Sequence, residues 1–380
     1  MSSSKKARVL CVVGARPNFM KIAPIMRALN HPQSQLSATL LHTGQHYDAA
    51  MKHSFFEQLH IPEPDIDLEV GSGSHAVQTA EVMKRFEPVL DELKPNVVLV
   101  VGDVNSTIAC ALVAVKKHVP VIHVEAGLRS FDRTMPEEIN RILTDQIAEL
   151  LFTTERSAEA NLLREGIDAA KIHFVGNVMI DTLLYNAEHA VASEVTLQNA
   201  GVSLRQGGGP DKSYGLVTLH RPSNVDDPEV LASLIDTLLI INTDLDLVFP
   251  IHPRTLQQLR ASGLLYKLES SRIALLEPQG YLQMLGLMKD AKVVLTDSGG
   301  IQEETTALGT PCITLRDTTE RPITVTQGTN ILTGSDPEKI LAAFNQVMND
   351  GGKCGQIPEY WDGRAAERIV EVIQAWITHN

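Results

Sequence analysis

The stretch Val293-Val-Leu-Thr-Asp-Ser-Gly-Gly-Ile-Gln-Glu-Glu304 decides how this chain folds. Val293 to Thr296 make an apolar run of strand length, Ser298-Gly-Gly300 supplies a tight turn, and a helix-compatible segment continues to Leu308. A strand that feeds a helix in this way leaves unpaired backbone N–H groups at the helix start, where the helix dipole adds partial positive charge. Such a turn is either a seat for a phosphate or an ordinary strand-to-helix connection. Glu304 lies one to two turns inside, where a carboxylate reaches sugar hydroxyls beside a phosphate.

The same alternation runs over nearly the whole chain. Strand-like runs fall at Arg8–Val13, Ala38–Leu41, Val97–Val101, Pro120–Val124, Leu151–Thr153 and Ile172–Val175 in the first half. In the second half they fall at Tyr214–Leu219, Leu245–Pro250, Arg272–Leu275, Lys292–Thr296 and Pro311–Leu315. Helical patterns such as Lys21–Leu29, Val77–Leu93, Ile139–Ala148 and Leu231–Ile241 lie between them. Continuous apolar strands alternating with helices predict an α/β fold with parallel sheets covered on both faces.

At 380 residues the chain exceeds one compact core, so two domains are expected. Their boundaries are placed at 1–182 and 183–362, with a last helix from about 363 to 380 packing back on the N-terminal domain. The Gly-rich stretch from Ala200 to Lys212 is the one segment with linker chemistry, and a helix from about Leu183 to Asn199 is the competing crossover.

A net charge of −13 argues against nucleic acid or an anionic membrane as the main partner. An anionic small molecule remains compatible, because a pocket can be locally basic. No apolar run approaches the ~20 residues of a membrane span. The four cysteines lack paired spacing and the thirteen histidines form no metal-ligand pattern, so a reduced, cytoplasmic protein without a required metal is expected.

In open α/β sheets ligands bind beyond the carboxyl ends of the strands. Those ends carry Gly14-Ala-Arg16 with Lys21, Gly102-Asp103, Glu125, His220-Arg221, His252-Pro-Arg254 and Asp297-Ser298-Gly299. Arg16 and Lys21 suit a diphosphate, or are a pair of surface cations. His220 alone reads as a structural residue, but a second strand ending in His252 favours a phosphate role. Asp103 serves either as a catalytic acid or as the cap of a helix beginning near Ser106. Glu137, in the helix start Pro136-Glu-Glu138, suits the dipole in any case. Glu125 has the weakest structural explanation. Carboxylates in a partly dry cleft serve as general acid or base.

At these residues the chain resembles the non-hydrolysing UDP-N-acetylglucosamine 2-epimerases from end to end. The matching pieces are Gly14-Ala-Arg-Pro17 with Lys21, Thr43-Gly-Gln-His46, Gly102-Asp103, His123-Val-Glu-Ala-Gly-Leu-Arg129 and Pro136-Glu-Glu-Ile-Asn-Arg141. They continue through Gly176-Asn177, Leu219-His-Arg221, Asp297 to Glu304 and Thr319-Glu-Arg-Pro322. The resemblance implies two Rossmann-like doubly wound domains facing across a cleft, as in GT-B glycosyltransferases. It also implies a homodimer that interconverts UDP-GlcNAc and UDP-ManNAc without NAD or an essential metal. Carried over by motif, Asp103, Glu125 and Glu137 are the catalytic carboxylates, and His220 assists near the diphosphate. By the same carry-over Arg16, Lys21, Arg141, His220, Ser298, Gly299 and Glu304 bind UDP, with Glu304 on the ribose; His252, from the strand-end pattern, and Arg321 are expected to bind the UDP-sugar with them.

Three positions depart from the family pattern. Tyr47 stands where several bacterial members carry an Arg linked to a second, activating UDP-GlcNAc. Ile323 replaces a common Glu, and Met284 a common aromatic near the uracil. Four other readings compete with this one. One is the same chemistry on a UDP-2,3-diacetamido-glucuronic acid, with Arg129 or Arg133 meeting its carboxylate. The others are a hydrolysing epimerase, a GT-B glycosyltransferase and a non-catalytic nucleotide-sugar sensor, against which the intact Asp103, Glu125 and Glu137 count.

Overall fold

The computed structural model describes residues 6–44, 63–204 and 214–379; Gln45, His46, Tyr47 and the linker residues from Arg205 to Ser213 lie outside it. The chain divides into two compact units, residues 1–184 with 359–380, and residues 185–358.

The first unit is built on seven parallel strands. They are β1 (Ala7–Val13), β2 (Leu36–His42), β3 (Ile66–Asp67), β4 (Val97–Val101), β5 (Val121–Ala126), β6 (Leu150–Thr153) and β7 (Ile172–Phe174), in the order β3-β2-β1-β4-β5-β6-β7. Val97–Val101 is buried at every position, as a strand covered on both faces must be. Val98, Val100, Leu10 and Leu151 belong to a core cluster that Val82, Phe86 and Leu90 join from the His75–Leu93 helix. That helix packs beside Asn105–Lys116, which packs beside Pro136–Ile147, while Arg16–Leu29 packs against Ala365–His379.

The final helix therefore belongs to the first unit. Asp181 holds its start by accepting the N–H groups of Ala365 at 3.1 Å and Ala366 at 2.7 Å. Trp361 Nε1 donates to the Thr154 carbonyl at 3.2 Å just before it. The segment from Leu183 to Asn199 is not one continuous helix but two, Val178–Ala187 and Ser193–Asn199.

The second unit repeats the plan with β8 (Tyr214–Thr218), β9 (Asp246–Pro250), β10 (Ala274–Leu276), β11 (Val293–Thr296), β12 (Cys312–Thr314) and β13 (Asn330–Leu332). Their order, β10-β9-β8-β11-β12-β13, reproduces that of the first six strands of the other sheet. Val217, Leu247, Phe249, Leu295 and Ile313 form its core with Leu234, Leu238 and Ile241 of the Pro228–Asp244 helix. In both sheets the chain starts in the middle, works outward one way, then returns to build the other half. The switch points lie between β1 and β4 and between β8 and β11, where successive connections leave on opposite faces.

Two glycines separate backbone strain from steric contact. Gly166 has φ +83° and open space around a notional Cβ. Alanine there should cost about 1–2 kcal/mol through its left-handed backbone alone. Gly176 has φ +93°, and a Cβ would stand 2.1 Å from the Tyr360 carbonyl oxygen. Overpacking should add roughly 1–3 kcal/mol there. Thermal melts should accordingly place Gly176→Ala clearly below Gly166→Ala, and equal midpoints would show that the Tyr360 contact is not what this glycine serves.

Candidate active site

The switch point of the first unit is stapled by a buried amide. Asn18 Oδ1 accepts the N–H groups of Gly14 at 3.2 Å and Ala15 at 3.0 Å, while its Nδ2 donates to the Val101 carbonyl at 3.1 Å. One side chain thus ties the end of β1 to the end of β4. Arg16 opens the Arg16–Leu29 helix at this point, with Pro17 in its first turn, where a missing N–H costs nothing.

Lys21 runs from that helix across Gly102, whose φ is +66° and where a Cβ would lie 2.8 Å from Nζ. Its ammonium ends 2.6 Å from Glu125, with both side chains almost fully buried. Glu125 itself has φ +71°, a conformation that costs a non-glycine residue free energy, and the register of β5 against β6 shifts there. Irregular backbone at a strand end re-aims a side chain.

Asp103 does not cap the following helix. That helix begins at Asn105 behind Val104, with no side-chain cap, and the Asp103 carboxylate instead meets the buried Arg141 guanidinium. The other arm of Arg141 contacts Glu138 at 2.6 Å. Of the two glutamates that open the Pro136–Ile147 helix, Glu138 is thus structural. It also accepts the N–H groups of Ser130 and Phe131, both at 3.0 Å. Glu137, half-buried in the same first turn, has none of these bonds among those of the described residues.

Beneath these groups lies a buried network that motif reading alone missed. His123 contacts Asp145 through Nδ1 at 2.6 Å and the Gly102 carbonyl through Nε2 at 2.8 Å. Asp145 also accepts from Arg129 at 2.7 Å and from Gly127 N–H at 3.1 Å. Burial alone would raise the Asp145 carboxyl, but His123 and Arg129 outweigh it and hold it below the ordinary range. Arg129 is further gripped by Glu165, so its charge is already spent on two carboxylates. The spacing of His123, Glu125, Gly127 and Arg129 along one strand end was the available signal.

In the second unit, Asp297 closes β11 and is fully buried. It accepts the N–H groups of His220 and Arg221, each at 2.9 Å, and sits 2.8 Å from His220 Nδ1. Ser298 precedes the Gly299–Leu308 helix and its N–H is bonded to Thr296 Oγ1 at 3.0 Å. A Cβ on Gly299 would meet Glu320 Oε1 at 2.8 Å, so glycine here lets that carboxylate come up to the helix start. Glu320 contacts Arg316 at 2.8 Å and Arg221 at 3.4 Å, and Arg321 pairs with Glu303 at 2.9 Å. Arginines and a helix N-terminus gathered this closely suit an anion of more than one charge.

Glu304 is buried beside Tyr281, and burial pushes its carboxyl up to about 7; the Tyr281 hydroxyl opposes the rise and Glu303 adds to it. His252 is exposed and caps the Pro253–Ala261 helix by accepting Arg254 N–H at 3.2 Å, with its ring 5.7 Å from that of His220. Among the described residues, no group of three or more His, Cys, Asp or Glu is placed to hold a metal, and no helix is long and apolar enough to cross a membrane.

Two stability effects follow from the buried charges. Lys21→Met strands the Glu125 carboxylate and should cost about 3 kcal/mol or more, whereas adding Glu125→Gln should return part of that loss. Urea titrations of the three variants check this, and a larger loss in the double variant would show the pair to be uncoupled. Burial would raise the Glu320 carboxyl, but Arg321, Arg316 and Arg221 pull it to about 2. A folded value below the unfolded one stabilises the protein above pH ~4.5 and is lost as pH falls toward ~2, a contribution of roughly 3 kcal/mol. Glu320→Gln should therefore lower stability at pH 7 and flatten the acid limb of a Tm-against-pH curve.

The relationships of the chain agree with this arrangement. Residues 28–374 match the family model for UDP-N-acetylglucosamine 2-epimerase. A UDP-N-acetylglucosamine 2-epimerase of Methanocaldococcus jannaschii is 44% identical over 366 residues, 95% of this chain and 97% of that protein. A UDP-2,3-diacetamido-2,3-dideoxy-D-glucuronate 2-epimerase of Pseudomonas aeruginosa is 42% identical over 373 residues, 96% and 99% of the two chains. The crystal structure of the M. jannaschii UDP-GlcNAc 2-epimerase with UDP-GlcNAc and UDP superposes with a TM-score of 0.85 at 43% identity, covering 97% of this chain and 99% of that one. With two α/β units of Rossmann strand order and such likeness along its whole length, the chain belongs to the UDP-N-acetylglucosamine 2-epimerase family.

Proposed function

We propose that the protein interconverts UDP-GlcNAc and UDP-ManNAc by inverting C2. The observation that carries this reading is the pair of carboxylates at the ends of adjacent strands. Asp103 after β4 and Glu125 in β5 each contact a buried cation, Arg141 and Lys21 respectively. Inversion at a carbon requires one group to take the proton from one face and another to return it on the opposite face. A single acid would regenerate the starting sugar.

The C2 hydrogen has no adjacent carbonyl, so plain deprotonation there is too uphill to be useful. Elimination solves the problem. A carboxylate takes the C2 proton, the C–H electron pair forms the C1=C2 bond, and the C1–O bond breaks with its pair leaving on UDP. The 2-acetamidoglucal then accepts a proton at C2 on the other face while the UDP oxygen adds back to C1. Glu137 is the third carboxylate of this set. The departing diphosphate gains a negative charge, which His220, Arg221 and the N–H groups of Gly299 and Gly300 are suited to stabilise. Arg141 and Lys21, engaged with carboxylates, act on the acid–base groups rather than on phosphate.

The modified-sugar reading is favoured by the P. aeruginosa relative. Its substrate carboxylate would need a free cation, and Arg129 is already bound by Asp145 and Glu165. Of the two arginines considered, only the exposed Arg133 is left for that task. This supports the unmodified sugar. We further propose a homodimer working in the cytoplasm; the buried thiols of Cys11, Cys110 and Cys312 accord with a reducing compartment.

Proton NMR of the protein with UDP-GlcNAc in D2O tests the reaction directly. UDP-ManNAc carrying deuterium at C2 is the expected product, and free ManNAc with UDP would instead mean hydrolysis of the glycal. Asp103→Asn, Glu125→Gln and Glu137→Gln should each slow turnover by about 100-fold or more, with UDP affinity changed only a few-fold. Wild-type rates from all three would sink the assignment.

A further inference from the structure

The geometry points to Asp297 as the positioning residue for His220, fixing the proton on Nδ1 so that Nε2 is the atom offered to the nucleotide-sugar. The inference rests on the function proposed above. It concerns how the histidine is set, not whether it serves.

Asp297 Oδ1 lies 2.8 Å from His220 Nδ1, and Asp297 has no exposed surface. An ionised carboxylate can only accept. If Nδ1 also presented a lone pair, two acceptors would face each other at hydrogen-bond distance with no water to separate them. Nδ1 therefore carries the hydrogen.

The carboxylate is itself held from behind. Oδ2 takes the N–H groups of His220 and Arg221 at 2.9 Å each, and Asn224 Nδ2, which also donates to the Leu315 carbonyl at 2.8 Å, stands 3.4 Å away. Burial alone would raise the Asp297 carboxyl, but His220 and these N–H groups hold it below the ordinary range. The aspartate thus stays charged where it cannot meet water. The ring it orients is 41% exposed.

The contact sets the tautomer, so Nε2 is the ring nitrogen presented outward. An asparagine in place of Asp297 keeps the size and can still accept the backbone N–H groups. Its amide can, however, turn its NH2 toward Nδ1, which then no longer has to carry the hydrogen.

A double-mutant cycle distinguishes this role from that of a loop staple. Asp297→Asn alone should lower kcat on the order of 10- to 100-fold, measured well below its melting temperature. In a His220→Asn background the same change should lower kcat by less than about twofold. A full Asp297→Asn loss retained without His220 would overturn the inference.

Long-range 1H–15N correlation on histidine-labelled wild-type protein provides a reading that needs neither turnover nor the variant's folding. The His220 resonance, identified by its absence in His220→Asn, should show a protonated Nδ1. A neutral ring protonated on Nε2 alone would overturn the inference equally. Absence of any turnover by the wild-type protein would instead count against the proposed function, and the tautomer would still be read.

Discussion

The strand order dictates where chemistry can happen. Parallel strands joined by right-handed crossovers send their connections over one face of the sheet while the chain moves one way along it, and over the other face once the chain turns back. Where the direction changes, between β1 and β4 and between β8 and β11, the carboxyl ends of two neighbouring strands are left uncovered. Gly14, Gly102, His220 and Asp297 all stand at these ends. Had the strands been laid down in simple sequence order, one helix layer would have covered every end alike. The strand-end groups are thus placed by topology before any side chain acts.

Holding charge in such a place is costly unless each charge is answered. The first unit answers Glu125 with Lys21, Asp103 with Arg141, and Asp145 with His123 and Arg129. The left-handed backbone at Glu125 persists because β5 lies between β4 and β6 and its end is bonded through His123 and Asp145. Strain and buried charge of this kind are stabilised by rigid surroundings and leave little reorganisation for the reaction itself. The second unit uses the same device in a different setting, a buried aspartate behind a histidine at a strand end. There the histidine is partly exposed, whereas His123 is sealed in. One dyad faces outward and the other braces the scaffold.

Legibility in the sequence followed physical length scales. Central strands such as Val97–Val101 stand out because a strand buried on both faces must be apolar at every position. The edge strands Ile66–Asp67 and Asn330–Leu332 are only two and three residues long, and no periodicity marks them. The Ser298-Gly299 turn was readable because the open N–H groups of a helix start are a local requirement, whereas the approach of Glu320 to Gly299 was not. Asp103 offered two local readings, a helix cap or a functional acid, and only the approach of Arg141 from another helix excludes the first. Glu137 and Glu138 are chemically identical neighbours. Helical geometry turns Glu138 toward Arg141 and the Ser130–Phe131 loop.

By itself the sequence determined the α/β class, the alternation of elements and the set of residue types at the strand ends. All of these depend on interactions within a few residues. The tertiary structure alone decided which charges meet. Lys21 and Arg141 read as phosphate cations from their motifs, yet their ammonium and guanidinium groups close on Glu125 and on Asp103 with Glu138. Arg129 is consumed by Asp145 and Glu165, and Asp297 takes hold of His220 from a strand 77 residues further along the chain. Ion pairing acts through space over a few ångströms, so partners separated by many residues are invisible until the chain has folded.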